Sequence, residues 1–330
     1  MTSEQLAEIE EPLEVVAPAT AVEGRSPMQL AKQRFFADRK SVIAGIVSLL
    51  FILGAVAAPI LVKVGVLDYH GFNQDLLRED TMPAGSWGGV SWHHWLGVAP
   101  QTGWDVLSRV WFGMSLSLGI SLAAAIISCV VGVALGIVAG FSRGFADTLI
   151  GRLIDLTLAF PQQLLALATA SMAFAFIHEY LHLPAGDWTR AFFVIAIMSI
   201  FGWPGLARLV RGQVLSIRER EFIEAAELLG ASKWRIYVRE ILPNLWSLIL
   251  VNFTLTLPAY ISAEAAFSFM GISIVVPTPT LGNVLNASLT YATIDPLYFA
   301  VPGILIAALV VSFNLFGDGL RDALDPKGSR

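Results

Sequence analysis

The most reactive combination of side chains in the sequence lies near residue 180. His178, Glu179 and His182 form the pattern His-Glu-x-x-His, which on a helix places both imidazoles on one face to bind zinc, with the glutamate as general base. A catalytic zinc also needs a third protein ligand and an open position for water. The next acidic residues are Asp187 and Glu219. A zinc metalloprotease is therefore one hypothesis, and a polar end to an apolar helix explains the same residues equally well.

The composition limits the environment in which such chemistry could occur. Of the 330 residues, 55% are hydrophobic and only 14% are charged, which is too apolar for a water-soluble domain. The basic residues are not gathered into a stripe beside aromatic residues, which argues against nucleic-acid binding. The single cysteine, Cys129, lies in an apolar run, so it can form neither an intrachain disulfide nor a cysteine-based metal cluster. The chain is therefore predicted to lie in a membrane. If the zinc hypothesis is correct, the protein is an intramembrane zinc metalloprotease.

Six stretches are long and apolar enough to cross a bilayer. A spanning helix needs about 20 mostly apolar residues for a hydrocarbon core of about 30 Å. The uncharged runs that qualify are Ser41–Val62, Val110–Ser142, Leu156–His178, Ala191–Ala207, Ile241–Ala263 and Pro296–Gly317. A further run, Ala265–Ile294, contains Pro277 and Pro279, which disfavour a continuous helix. We expect this run at a pore mouth or an outer surface.

The basic residues predict the orientation of these spans. Of the 21 lysines and arginines, 17 fall on one side of the predicted topology, and only Lys63, Arg78, Arg109 and Arg190 fall on the other. Basic residues concentrate in cytoplasmic loops, so both termini are predicted to be cytoplasmic. The first 24 residues contain six glutamates and no basic residue, which is the reverse of a signal-peptide start.

These features predict five parts of the chain. Residues 1–38 form a cytoplasmic, disordered tail with the start of an interfacial segment, 39–63 the first span, 64–109 an external loop, 110–320 a core of five spans, and 321–330 a cytoplasmic tail. The core contains a polar segment, 218–243, between the fourth and fifth of the six predicted spans. The tail assignment follows from its low hydrophobicity and many like charges.

The segment 218–243 has the pattern of two short helices. Apolar residues recur at helical spacing in Phe222, Ile223, Ala226 and Leu229. Glycine is common at a left-handed helix end and serine caps a following helix, so Gly230-Ala231-Ser232 predicts a bend. An amphipathic helix resting on lipid headgroups is the alternative explanation.

The same segment contains a set of residues at fixed spacing, which are Glu224, Ala225, Ala226, Gly230, Ala231, Ser232, Arg235, Ile236, Ile241, Leu242, Pro243 and Asn244. These residues resemble the "EAA" signature of importer-type ABC permeases. Glu240 departs from that pattern, since a histidine is frequent at this position. The resemblance implies a coupling helix that docks on a partner ATPase. Of these residues, the coupling contact is assigned to Glu224, Ala225, Ala226, Gly230, Ala231, Ser232, Ile236, Leu242 and Pro243.

The resemblance covers most of residues 85–326. Within the importer-type permeases, it indicates the branch that transports peptides and nickel. Two departures occur before the second span, where Val98–Thr102 replaces a Thr-Asp pair and Trp104 replaces an arginine. The matching residues include His94, Leu96, Gly97, Gly103, Asp105–Arg109, Asp155, Ala159, Phe160, Pro161, Phe269, Gly271, Pro277–Pro279, Gly282, Asn283, Asn314, Leu315 and Gly317–Pro326.

This resemblance implies the fold, the partners and the function. The expected fold is all-α and transmembrane, the six-span type I ABC importer permease fold. The expected partners are a second homologous permease, two ABC ATPase subunits, an extracytoplasmic solute-binding protein and membrane lipid. The expected function is ATP-driven transfer of dipeptides, oligopeptides, a nickel chelate or similar small solutes across the bacterial inner membrane.

No catalytic residue or cofactor is expected in this chain. The sequence lacks the Gly-x-x-x-x-Gly-Lys-Ser/Thr phosphate loop, so ATP and magnesium are expected in the partner ATPases. Ionisable residues at span ends are costly and often functional, and Asp155 and Glu264 are either pathway residues or partners of a neighbouring helix. Phe160 and Pro161 are expected to kink and pack the third span.

Overall fold

The computed structural model describes residues 27–142, 144–182 and 184–324. All regular elements in these ranges are helices, which confirms the all-α prediction. They are α1 (Pro27–Ala37), α2 (Arg39–Lys63), α3 (Val106–Phe141), α4 (Phe145–Ala159), α5 (Gln162–Tyr180), α6 (Asp187–Ile217), α7 (Glu221–Leu228), α8 (Lys233–Arg235), α9 (Trp246–Phe269), α10 (Leu281–Leu289) and α11 (Pro296–Leu324). A π-helical turn, Ile236–Ile241, and a 3-10 turn, Leu242–Leu245, join α8 to α9. The predicted acidic tail, residues 1–24, lies outside the described residues.

The predicted spans correspond to helices in the structure. Five helices of the described ranges are long and apolar enough to cross a membrane: α2, α3, α6, α11 and the continuous run Lys233–Phe269. The sixth candidate is a bent pair, α4 and α5, whose axes differ by 86° and which has the length and composition of a span only when the two helices are taken together. The run after α9 is not a span, because the chain leaves the helix after Phe269 and re-enters one only at Leu281. The prediction that this run is discontinuous is therefore confirmed.

The third span differs from its prediction. The sequence indicated one span over Leu156–His178, whereas the helix begins at Phe145 and is interrupted at Phe160–Pro161. Phe160 has an extended backbone, with φ −92° and ψ 132°, as is common before a proline. The kink at these residues is confirmed. The Phe160 side chain packs only in part against the described residues, because 50% of it is exposed.

A stripe of glycines brings α3 close to α6. Gly132, Gly136 and Gly140 recur every fourth residue and face α6. A Cβ atom added at Gly136 would lie 2.7 Å from the Cβ of Val210 and 2.8 Å from the carbonyl oxygen of Ala207. Small residues let spanning helices approach closely in lipid. The contact between α3 and α6 is the most extensive in the bundle, and it depends on this stripe.

Replacing Gly136 with leucine is therefore expected to lower the thermal midpoint of the purified protein. The added side chain would meet the backbone of α6, and overpacking costs about 1–3 kcal/mol or more. Gly119→Leu is the matched control on the same helix, because nothing lies within 4 Å of a Cβ added there. Thermal unfolding in detergent measures the difference. Equal midpoints for the two variants would contradict the packing role of the stripe.

Glu264 lies inside α9, so the predicted end of the fifth span at Ala263 is wrong. The helix continues to Phe269 and the Glu264 side chain is fully buried. Its Oε1 accepts a hydrogen bond of 3.0 Å from the Ser273 hydroxyl. Buried polar groups need such partners, so Glu264 connects α9 to the segment that follows it.

Charged residues of α4 pair with α6. Arg211 donates two hydrogen bonds to the carboxylate of Asp147, at 2.6 and 2.9 Å, and Arg208 donates one to Asp155 at 2.9 Å. Asp155 thus lies inside α4 and is partnered by a neighbouring helix, which was one of its two predicted roles.

Candidate coupling segment

The segment 218–243 folds into two short helices joined by a bend, as predicted. α7 ends at Leu228 and Gly230 follows with φ +75°, a backbone conformation that glycine adopts at little cost. The amide of Ala231 donates to the carbonyl oxygen of Ala226 at 3.0 Å, which closes the turn. Ser232 caps α8, because its hydroxyl accepts a hydrogen bond from the amide of Arg235 at 3.3 Å.

One face of the segment is fixed to the bundle. Ile223, Ile236 and Ile241 are each at most 1% exposed. They pack in one apolar cluster with residues of α3 and α6, which are Val133, Ile137, Leu206, Val210, Val214 and Ile217. Because this contact is buried and apolar, the segment and the adjoining ends of α3 and α6 are expected to move as one body.

The opposite face of the segment 218–243 is exposed and apolar at the bend. Leu228 is 83% exposed, Leu229 is 87% exposed and Trp234 is 75% exposed. We call these three residues the apolar tip. Exposed apolar patches of this kind mark contacts with other proteins or membranes.

The structure distributes the predicted coupling residues over both faces. Ile236 is buried in the cluster with α3 and α6, and Ala226, Ala231 and Leu242 are half-buried. The remaining predicted residues are exposed, and they are Glu224, Ala225, Gly230, Ser232 and Pro243. Leu229 does not join the apolar face of α7, although its helical spacing predicted this.

The apolar tip is missing from the sequence-based assignment. Two consecutive leucines directly before a helix-ending glycine were the available signal, because adjacent residues of a helix point in different directions and cannot both be buried against the bundle.

A charged cavity separates α7 from the start of α4. It has a volume of about 550 Å³ and is lined by Arg218, Glu227, Lys233 and the end of α3. The guanidinium of Arg218 donates to the carbonyl oxygen of Gly140 at 2.9 Å and to Glu219 at 3.0 Å. Arg218 therefore ties the first residue after α6 to the last turn of α3.

Comparison with known proteins identifies the family. Residues 132–330 match the family described as binding-protein-dependent transport system inner membrane component. The chain belongs to this family. The matched residues include α4 to α11 and the whole coupling segment.

Two curated relatives resemble the permease over nearly their full length. The glutathione transport system permease protein GsiD of Pectobacterium atrosepticum is 35% identical over 303 residues, which cover 92% of each chain. The oligopeptide transport system permease protein OppC of Bacillus subtilis is 34% identical over 297 residues, covering 90% of this chain and 88% of OppC.

A solved structure shows the same fold. The MetNI methionine ABC transporter, in an inward-facing conformation, aligns with a TM-score of 0.51 at 19% identity and covers 67% of this chain and 96% of its own. The chain is thus a multi-pass permease subunit of an ABC importer in the inner membrane.

The geometry of the permease does not support the zinc hypothesis. α5 ends at Tyr180, and His182 lies beyond the helix with φ +52°. The imidazoles of His178 and His182 are therefore not on one helix face, as the zinc pattern requires. Within residues 27–142, 144–182 and 184–324, no group of three or more histidine, cysteine or acidic side chains is placed to hold a metal.

The end of the permease opposite to the coupling segment is built from residues 64–105 and 270–280. The ring of Tyr69 stacks on Phe112 at a centroid distance of 4.2 Å, and burial raises the pKa of the Tyr69 hydroxyl. His94 Nδ1 lies 2.9 Å from a carboxylate oxygen of Asp105, which also caps α3 by accepting from the amide of Ser108. Residues 64–105 therefore pack on the start of α3 and do not form an open loop.

Proposed function

We propose that this permease imports peptides or similar small solutes and is driven through the segment 218–243. The observation that carries the coupling role is the segment itself, which buries one face against α3 and α6 and leaves the apolar tip uncovered. The relatives named for glutathione and oligopeptide transport support a peptide-like cargo. The ATPase activity, with its ATP and magnesium, resides in partner subunits.

In this proposal, the apolar tip and Glu224, Ala225, Ala226, Gly230, Ala231, Ser232, Ile236, Leu242 and Pro243 form or support the ATPase contact. ATP binding closes the ATPase pair and displaces the segment. The buried isoleucines carry this movement to α3 and α6. The two permeases then rock between inward-open and outward-open states, which are two packings of the same helices.

We also propose that both termini and the segment 218–243 are cytoplasmic. The residues 64–109 and the segment Pro277–Asn283 then face outward, where a solute-binding protein delivers cargo. The distribution of 17 of 21 basic residues to the opposite side supports this orientation.

A reporter fused after Gly85 is therefore expected to be external, and one fused after Arg330 is expected to be cytoplasmic. Alkaline phosphatase and green fluorescent protein fusions distinguish the two sides, because each is active on one side only. Fusion at the α7–α8 bend provides an internal control and should match Arg330. The same side for Gly85 and Arg330 would overturn the topology.

Uptake by the reconstituted transporter tests the cargo. The permease, its partner permease, the ATPases and the binding protein are placed in vesicles and supplied with radiolabelled dipeptide, oligopeptide, glutathione or nickel chelate. We expect ATP-dependent accumulation of at least one of the peptides. Accumulation of the nickel chelate alone would contradict the peptide assignment and leave the coupling assignment intact.

A further inference from the structure

An apolar groove runs along the surface of the bundle between α2, α3 and α11. It has a volume of about 490 Å³, and every residue that lines it is apolar or glycine. Buried Met114 lies at its floor, and the exposed Leu50 and Ile304 form its rims, at 62% and 67% exposure. Gly54 allows α2 to approach α3, where the indole of Trp111 donates to the Gly54 carbonyl oxygen at 2.8 Å. The groove therefore opens toward the surroundings of the spans.

A second cavity, of a different chemical character, adjoins this groove. It has a volume of about 580 Å³, and its lining includes Asp68, His93 and Trp92. Leu107 and Trp111 line both the cavity and the groove, so the two form one continuous depression. The cavity lies where α2 ends and α3 begins, and the ends of spanning helices are expected at the membrane interface.

The length of the depression matches one leaflet of a bilayer. From Leu50 in the groove to Leu61 in the cavity, α2 rises about 16 Å, at about 1.5 Å per residue. Half of a bilayer core is about 15 Å thick. An acyl chain lying in the groove would therefore bring its headgroup to the cavity.

The lining of the cavity indicates the kind of headgroup. The Asp68 carboxylate supplies a negative charge. Trp92 and Trp95 are 89% and 63% exposed at its rim, and tryptophan prefers the membrane interface and attracts cations over its ring face. An ammonium group satisfies both features, whereas an anionic headgroup would meet a like charge.

We propose that the groove and the cavity together bind one glycerophospholipid with an ammonium headgroup, such as phosphatidylethanolamine. One acyl chain lies between α2, α3 and α11, and the headgroup lies against Asp68 and the two tryptophans. A spanning helix of the partner permease could fill the groove, but it would leave the carboxylate of Asp68 beside an apolar surface.

Quantification of lipid retained by the purified complex tests this site. The complex is extracted from vesicles of equal parts phosphatidylethanolamine and phosphatidylglycerol and examined by native mass spectrometry. Ala308 lines the groove, and Ala308→Phe is expected to reduce retained phosphatidylethanolamine by about tenfold, equivalent to about 1.4 kcal/mol. Ala307→Phe is the control, because the neighbouring Ala307 is exposed and lies outside the groove. Equal retention by both variants, or no retained lipid in the unmodified complex, overturns the proposal.

A second variant isolates the headgroup. Asp68 Oδ1 accepts hydrogen bonds from the amides of His70 and Gly71, and Asp68→Asn keeps this acceptor while it removes the charge. We expect lipid to remain bound with no preference for phosphatidylethanolamine over phosphatidylglycerol. An unchanged preference would contradict the role of Asp68.

Cross-linking identifies the occupant independently of the fold of the phenylalanine variant. In a chain with Cys129 replaced by serine, Ile304→Cys introduces a thiol at an exposed rim position. We expect reaction with a phosphatidylethanolamine that carries a thiol-reactive acyl chain. In a parallel reaction with a bifunctional reagent that joins a thiol to an amine, a cross-link to the second permease, with no lipid adduct in the first reaction, would show that the groove is a protein interface.

Discussion

A permease with tryptophan in place of Ala226 is expected to assemble in the membrane but to lose cargo-stimulated ATP hydrolysis and uptake by at least about tenfold, a change of about 1.4 kcal/mol. Ala226 is half-buried against the cluster that joins the segment to α3 and α6, and its carbonyl oxygen closes the bend by accepting from Ala231. An indole cannot fit there without displacing α7, because overpacking forces the backbone to shift. The spans themselves are untouched, so insertion should be normal.

Gly230 allows the same contact to be tested without a steric clash. A Cβ atom added at Gly230 would meet nothing within 4 Å, but the residue has φ +75°. Valine is strained at such a backbone position by about 1–3 kcal/mol, whereas asparagine tolerates it better. Gly230→Val should therefore impair coupling far more than Gly230→Asn. Co-purification of the ATPase, ATP hydrolysis and uptake are measured together in vesicles. Normal uptake in the Ala226 and Gly230→Val variants would support the interfacial-helix explanation instead.

The spans and the bend were predictable because their signals are local. A run of apolar residues between charges predicts a helix of about the observed length, as for α2 and α11. The bend at Gly230 and the cap at Ser232 follow from the conformational preferences of single residues. The division of the segment 218–243 into two helices was therefore correctly predicted from the sequence.

The limits of the third and fifth spans were not predictable by the same rule. That rule places a span end at the nearest charge, and it placed the start after Asp155 and the end before Glu264. In the structure Asp155 pairs with Arg208 and Glu264 accepts a hydrogen bond from Ser273. The partner lies 53 residues from Asp155 and nine residues from Glu264, in each case outside the apolar run, and a single sequence does not show which residues will be partners.

The apolar tip was missed for a related reason. Helical spacing predicts which residues share a face, and Leu229 has the spacing of the buried face. The helix stops at Leu228, however, so Leu229 is carried outward by the turn. Burial at a helix end depends on where the chain turns, which the spacing alone does not determine.

Arg109 connects three parts of the end opposite to the coupling segment. Its side chain is buried at 2% exposure, although it begins a span. The guanidinium donates to the carbonyl oxygens of Pro277 at 2.9 Å and Tyr69 at 3.2 Å. It also lies 3.8 Å from the ring centroid of Trp104, a cation–π contact. One side chain therefore holds the segment 270–280 and the loop 64–105 on α3.

Replacing Arg109 with methionine is expected to release both segments and to abolish uptake, while basal ATP hydrolysis at the opposite end is retained. Each carbonyl group left buried without a partner costs about 1–3 kcal/mol. Arg109→Lys should rescue only in part, because an ammonium can still donate to the two carbonyl groups but lacks the planar guanidinium that stacks on the indole of Trp104. Arg190→Met is the matched control, since Arg190 donates to Gly271 at 2.9 Å in the same segment from a more exposed position. Hydrogen exchange measures the release. We expect faster exchange at Asn73 and Thr280–Leu281, which follow the two carbonyl groups that Arg109 contacts, in Arg109→Met than in Arg190→Met. Unchanged exchange with normal uptake would show that Arg109 does not hold this end together.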